Sequence, residues 1–249
     1  MNRYDSIIIG FGKGGKTLAA YLSNKGEKVA IIEKSEFMYG GTCINVGCIP
    51  SKSLVNSSKP TIGKLKDDRK THYKKAIEEK IKLTNMLRKK NFDNLNNREN
   101  VDVYTGTASF LSTYEISIKM KNDTITVKGD KIFINTGSEP IINNIDGLEG
   151  NRYVYTSKEI MEVEELPKKL AIVGGGNIGL EFASIYTNFG SEVRVFIRGD
   201  KFMPREDEDI SKEIKKVLED KGIGFNMNAQ VKSINEEENG ALLRYFDSS

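Results

Sequence analysis

Two glycine fingerprints constrain this chain more than any other feature. Gly10, Gly12 and Gly15 stand in GxGxxG spacing, and Gly174, Gly176 and Gly179 repeat it. A short apolar run precedes each, Ser6–Ile9 in the first case and "KKLAIV" in the second. Each is followed by a segment with helical apolar spacing, Thr17–Ser23 and Leu180–Phe189, and then by a second apolar strand, Val29–Ile32 and Val193–Ile197. Strand, glycine turn, helix and strand make a βαβ unit. Its glycines permit the tight turn and let backbone N–H groups approach a pyrophosphate at the helix N-terminus. The expected fold is α/β, with two Rossmann-like dinucleotide-binding units of which the second is incomplete.

The two units differ at the residue that closes the second strand. Glu33 ends it in the first, where a carboxylate accepts hydrogen bonds from ribose hydroxyls. Arg198 ends it in the second, with Lys201 and Arg205 nearby. A cation there holds a 2′-phosphate rather than a ribose hydroxyl, which favours NADPH over NADH.

Between the fingerprints, Val101–Gly137 alternates apolar and polar residues and reads as a β-meander, with Lys131–Gly137 as a compact buried strand. Clustered Gly and Asn place a domain boundary near Gly147–Tyr155, giving a first domain over 1–150 and a second over 151–249. After the second unit, "IGFNMNAQVKSINEEENGALLRYFDSS" begins another β segment, but a counterpart of Lys131–Gly137 does not follow. The chain is therefore expected to be the N-terminal part of a longer protein. Pro60–Arg98 is the most charged stretch, with Tyr73, Ile77, Ile81, Thr84 and Leu87 on one helical face. Asp67, Asp68, Glu78 and Glu79 interrupt its lysines and no aromatic platform accompanies them, so a solvated amphipathic helix is favoured over a nucleic-acid surface.

A formal charge of +3 over 249 residues argues for no polyanionic partner. No stretch approaches the roughly 18 apolar residues of a membrane span, and the three isoleucines near the N-terminus read as a strand rather than a signal peptide. The expected compartment is the cytoplasm. Its reducing conditions bear on "GGTCINVGCIPSK", which holds Cys43 and Cys48, the only cysteines present. Two cysteines and a single His72 fall short of a four-ligand zinc site, so no metal is expected. Inert core thiols remain an alternative, although the surrounding glycines and the Pro-Ser-Lys turn suit it poorly. A redox-active dithiol suits the pair better, because Cys48 opens a helix whose N-terminal dipole favours a thiolate.

The motif "GGTCINVGCIPSK" together with both glycine fingerprints resembles the class I pyridine nucleotide–disulfide oxidoreductases, which include glutathione reductase, dihydrolipoamide dehydrogenase and mercuric reductase. The resemblance covers the whole chain. "GFGKGGKTLA", "MYGGTCIN", "RKKNFDNL", "KIFINTG", "EFASIYTNFGS" and "PREDEDI" make it similar to the reactive-chlorine-resistance flavoenzymes, some of which reduce hypothiocyanous acid.

The resemblance implies a flavoenzyme that uses FAD and NADPH or NADH and reduces a small oxidant or disulfide through a Cys43–Cys48 disulfide. It assigns FAD to Gly10, Gly12, Gly15, Glu33, Gly41 and Thr42, with further contacts from Gly106–Ala108, Thr136 and Gly137. NAD(P)H falls to Gly174, Gly176, Asn177, Gly179 and Arg198. Cys48 takes the flavin-proximal position and Cys43 becomes the interchange thiol, while Lys52 and Glu181 match a lysine–glutamate pair beside the flavin. Asn177 stands where many members carry a tyrosine that gates the nicotinamide pocket. Members also carry a C-terminal interface domain that supplies a His–Glu acid/base across a homodimer, and this is not found in the chain. The alternative is an inactive nucleotide-binding remnant of such an enzyme.

Overall fold

The computed structural model of the chain describes residues 2–142 and 144–247. In chain order its elements are β1 (Asn2–Ile9), α1 (Lys13–Asn24), β2 (Val29–Glu33), α2 (Thr42–Asn45), α3 (Cys48–Ser58) and α4 (Lys66–Asn96). Strands β3 (Val101–Thr105), β4 (Thr107–Phe110), β5 (Glu115–Lys119) and β6 (Thr124–Ile134) follow. Then come β7 (Lys169–Val173), α5 (Asn177–Phe189), β8 (Glu192–Phe196), α6 (Glu208–Asp220), β9 (Gly224–Asn226), β10 (Ala229–Glu237) and β11 (Gly240–Asp247).

These elements form two compact units, one of residues 1–50 and 81–139, the other of 51–80 and 140–249. A single cut at Gly147–Tyr155 does not describe that division, because 51–80 belongs with the second unit. The reason is apolar. Leu54, Tyr73, Ala76 and Ile77 are buried in the same cluster as Phe182, Ala183, Ile185 and Phe189 of α5.

The first unit holds a six-stranded sheet in the order β3-β2-β1-β6-β5-β4. The first four strands run parallel and the last three antiparallel, with β6 common to both sets. Period-two alternation divides the core between the two faces of the sheet. Ile8, Val29, Ile31 and Val101 pack with Phe11, Ala19 and Leu22, while Ile7, Ala30, Ile32, Ile116 and Val127 make a second cluster. Because β1 is central and covered on both sides, its isoleucines run consecutively instead of alternating with polar residues.

Two expectations change here. Val101–Thr105 is not part of the meander but a parallel neighbour of β2, with Val29 opposite Val101. Lys131–Gly137 is not a separate buried strand: residues 131–134 complete the long β6, and Ile134 is 69% exposed. Antiparallel pairing with β5 ends at Lys128, so beyond it β6 has β1 alone as a strand neighbour among the described residues.

The second unit has a three-stranded parallel sheet, β7-β8-β9, and a separate hairpin, β10-β11. Helix α5 makes the βα crossover and buries Leu180, Phe182, Ala183, Ile185, Tyr186 and Phe189. It ends at Gly190, whose φ of 107° permits the left-handed cap that returns its N–H to Tyr186 O. Both fingerprint helices begin earlier than their apolar spacing predicts, at Lys13 and Asn177. Low-propensity glycines occupy the first turns, and close backbone contact holds them helical.

Helix α4 keeps Tyr73, Ile77 and Thr84 buried as the stripe predicts, but Ile81 is 37% exposed. Lys80 instead is buried and donates to Glu162 Oε1 at 2.7 Å. Among the described residues no helix is long and apolar enough to cross a membrane.

Candidate active site

In the first unit the C-terminal ends of the parallel strands β1, β2 and β6 converge on the glycine loop, the usual ligand position in such sheets. Gly10 has φ 110°, and a Cβ on it would meet Asn135 O at 2.2 Å. A Cβ on Gly15 would meet Gly10 O at 2.1 Å. Gly12 caps α1 without any side-chain partner, so the first amides of the helix lack a protein cap.

Glu33 is buried beside this loop. Its carboxylate accepts from Phe11 N at 3.0 Å and from Ser35 N at 3.3 Å. A carboxylate offers about four lone-pair sites, which leaves capacity for hydroxyl donors. Gly106 N donates to Glu33 O, and Asn135 N donates to Ile9 O, bringing the turn before β4 and the Thr136–Gly137 segment to the same strand ends. Ala108 packs against the Ile116–Ile118–Val127 cluster. Asn135 was not singled out from the sequence, and the signal that would have found it is the "INTG" that ends β6.

The cysteine loop rests on the start of α1. Gly40 and Gly41 have φ of 92° and 79°, and a Cβ on Gly41 would lie 2.5 Å from Gly12 Cα. Two successive left-handed residues turn the chain so that Thr42–Asn45 forms a single helical turn. Buried Asn45 fixes that turn, donating to Tyr39 O at 3.0 Å and Gly41 O at 2.9 Å. Its carbonyl accepts from Arg88 Nε at 2.8 Å, and the Arg88 guanidinium lies over the Phe37 ring. Gly47 completes the approach, because a Cβ there would meet Thr42 O at 2.9 Å.

Cys43 and Cys48 are joined by a side-chain hydrogen bond rather than by a disulfide. Cys43 is half-buried and Cys48 exposed. The hydrogen bond to Cys48 pushes the Cys43 pKa above the ordinary thiol value, burial adds to this, and Lys13 and Lys16 on α1 act in the opposite direction. No group of three or more His, Cys, Asp or Glu able to hold a metal occurs among the described residues.

The second unit repeats the glycine geometry. Gly174 has φ 109° and donates its N–H to Phe196 O, and a Cβ on Gly179 would meet Gly174 O at 2.4 Å. Added Cβ atoms on Gly174 and Gly176 would meet nothing within 4 Å, so these two glycines border open space. Gly176 caps α5 without a side-chain partner, and Asn177 opens that helix, exposed. Arg198 is exposed just beyond the end of β8. Lys52 Nζ donates to Glu181 Oε2 at 2.6 Å, which brings together two residues far apart in sequence.

The family model for pyridine nucleotide-disulphide oxidoreductases matches residues 4–247. The probable pyridine nucleotide-disulfide oxidoreductase RclA of Escherichia coli K12 is 43% identical over 96% of this chain and 52% of its own length. Mercuric reductase of Lysinibacillus sphaericus is 29% identical over 98% of this chain and 45% of its own. Among solved structures, the HOCl-induced flavoprotein disulfide reductase RclA from Escherichia coli superposes with TM-score 0.89 at 41% identity, covering 97% of this chain and 53% of that one. A Cu(II) complex of the same protein gives TM-score 0.91 at 41% identity, over 99% of this chain and 55% of that one. This chain spans about half the length of the curated relatives it matches. The glycine loops, the thiol pair and these likenesses agree: the chain belongs to the pyridine nucleotide-disulphide oxidoreductase family.

Proposed function

We propose that this chain carries the dinucleotide-handling and dithiol parts of an NADPH-dependent flavoprotein disulfide reductase. The observation that carries the reading is the seating of the Cys43–Cys48 loop against the uncapped, glycine-lined start of α1. The residues present fit an FAD. Gly10, Gly12 and Gly15 leave backbone amides that would hold its pyrophosphate, Glu33 keeps acceptor capacity that would serve its ribose, and Gly41, Thr42, Thr136 and Gly137 would border it. Ala108 is kept as a less specific contact. When bound, FAD supplies a two-electron carrier between pyridine nucleotide and the cysteine pair.

The chain's own residues do the rest. Gly174, Gly176, Asn177 and Gly179 hold the pyrophosphate of the pyridine nucleotide, and Arg198 pairs with a 2′-phosphate, hence NADPH rather than NADH. Lys52 and Glu181 orient the reacting face of the bound nucleotides. The Cys43–Cys48 disulfide takes up two electrons and two protons to become the dithiol. Cys43 then attacks the sulfur of the oxidant or disulfide and displaces hydroxide or a thiolate, and Cys48 attacks Cys43 in turn, re-forming the disulfide and expelling the remaining sulfur group as its reduced anion. Likeness to an HOCl-induced relative favours a small oxidant such as hypothiocyanous acid over a bulky disulfide. The full-length protein is expected to act as a homodimer.

The test is the absorbance spectrum of the purified chain before and after anaerobic NADPH. Bound flavin that bleaches and develops a long-wavelength thiolate band supports the reading. A colourless protein that takes up no added FAD overturns it for this chain and leaves the inactive remnant.

A further inference from the structure

The thiol that faces substrate in this reading is flanked by two lysines that the GxGxxG pattern does not require. Lys13 fills an unspecified position of GxGxxG and Lys16 follows its last glycine, both in the first turn of α1. The cysteine loop lies directly on that helix start: a Cβ on Gly41 would stand 3.4 Å from Lys13 N, and Gly40 N donates to Phe11 O at 3.0 Å. Lys16 is not a free surface lysine. It is half-buried, and its Nζ donates to Asn91 Oδ1 of α4. Asn91 is itself held by its amide, which donates to Leu87 O at 2.7 Å, and it packs beside Gly40. The ammonium is thus held by a residue that also borders the cysteine loop at Gly40.

We propose that Lys13 and Lys16 are positioning residues for Cys43, a paired cationic rim that draws anionic small reagents to it in preference to neutral ones. The inference rests on the reading of Cys43 as the substrate-facing thiol.

Lys13 and Lys16 of α1 favour the Cys43 thiolate, and Cys48 at the start of α3 opposes it. From α4, Arg88 is engaged with Asn45 and the Phe37 ring. The influence is mutual: burial and the neighbouring Lys13 lower the pKa of Lys16, while Cys43 raises it. Two lysines placed together repel one another, a cost that a merely structural helix start has no reason to bear. A nearby anion relieves that repulsion.

The test is site-resolved alkylation of the reduced full chain by iodoacetate and by iodoacetamide, reagents of similar size that differ in charge. Cys43 and Cys48 are separated by fragment-ion mass spectrometry. Wild type should show a higher iodoacetate-to-iodoacetamide rate ratio at Cys43 than the unfolded chain does, and the excess should fall as salt is raised. Lys16→Met and Lys13→Met should each lower that ratio about threefold, and the double variant about tenfold. Lys16→Arg should retain it. Asn91→Ala, which releases the Lys16 ammonium without removing it, should lower it by less than Lys16→Met.

An unchanged ratio in the double variant overturns the proposal, as does an equal fall in Lys16→Arg, which would assign the effect to packing. If the Lys16 variants do not fold, exposed Lys13 alone decides. Flavin bleaching distinguishes the two levels of inference. Normal NADPH bleaching with a lysine-independent ratio removes the lysine role and leaves the reductase reading intact. A lysine-dependent ratio in a chain that takes up no flavin does the reverse.

Discussion

Lys52 Nζ stands 2.6 Å from Glu181 Oε2, while Glu181 Oε1 is buried with no hydrogen-bond partner among the described residues. The lysine is 60% exposed, so solvent screens the pair and it contributes under about 1 kcal/mol to stability. An unpartnered buried carboxylate oxygen costs about 1–3 kcal/mol. Glu181→Leu should therefore leave the melting temperature unchanged or raise it. The same variant should slow NADPH-dependent flavin bleaching at least about tenfold, as expected for a group kept for orienting reactants. A melt and a stopped-flow trace on one preparation check both halves.

The glycines of the second fingerprint divide into two kinds, and substitution should separate them. Gly179→Ala places a Cβ 2.4 Å from Gly174 O and must displace backbone, so urea denaturation should show a loss of about 2 kcal/mol or more. Gly176→Ala meets nothing within 4 Å and should cost the fold less than about 1 kcal/mol. Titration with NADP should nevertheless find its affinity reduced, since the methyl enters the open space that Gly176 borders.

Arg198 supplies the test of cofactor choice. Replacing it by Gln should weaken NADP binding about tenfold or more, the value of one charge-assisted phosphate contact, and leave NAD affinity nearly unchanged. Equal effects on both nucleotides would remove Arg198 from 2′-phosphate recognition. Calorimetric titration of the two nucleotides is sufficient.

Asn45 makes three side-chain hydrogen bonds from a buried position and sets the turn that carries Cys43. Asn45→Ala strands two loop carbonyls and should cost about 2–3 kcal/mol by chemical denaturation. Arg88→Met removes only one of those bonds, from a partly exposed guanidinium, and should cost less.

The pH dependence of Cys43 follows from its partner. The Cys48 hydrogen bond is the largest influence raising the Cys43 pKa, so its alkylation should rise at a higher pH than that of an ordinary thiol. A group whose pKa is raised on folding contributes stability below its unfolded value and loses it as pH climbs through the folded one. The reduced chain should therefore lose stability on the alkaline side of the ordinary thiol range. Cys48→Ala should move the alkylation profile back down, which a pH series of iodoacetamide rates would show.

The βαβ starts were legible because glycine spacing and apolar runs are local signals. The place of Glu33 at the end of β2 and the approach of Cys43 to Cys48 followed from position along the chain. Contacts made across long sequence separations were not legible. Nothing near Lys80 marks it as a buried lysine in a run of exposed charge, since its partner Glu162 comes from a distant 3₁₀ turn. The Asn45–Arg88 and Lys16–Asn91 bonds likewise join the cysteine loop and α1 to a helix read only as a solvated stripe. Ile134 misled because an apolar triad, Ile132–Ile134, reads as buried whether or not a second strand flanks it.

The chain leaves the first compact unit at residue 50, returns at 81 and leaves again at 139, and both early crossings run through the helices α3 and α4. A gene cut at codon 150 would give neither unit. Its product would carry Leu54, Tyr73, Ala76 and Ile77 as an apolar surface stripped of α5, and the complementary piece would lack the side chains that close its core. Any shuffling of these two units, in the laboratory or in evolution, has to move residues 51–80 with the second unit or redesign their face.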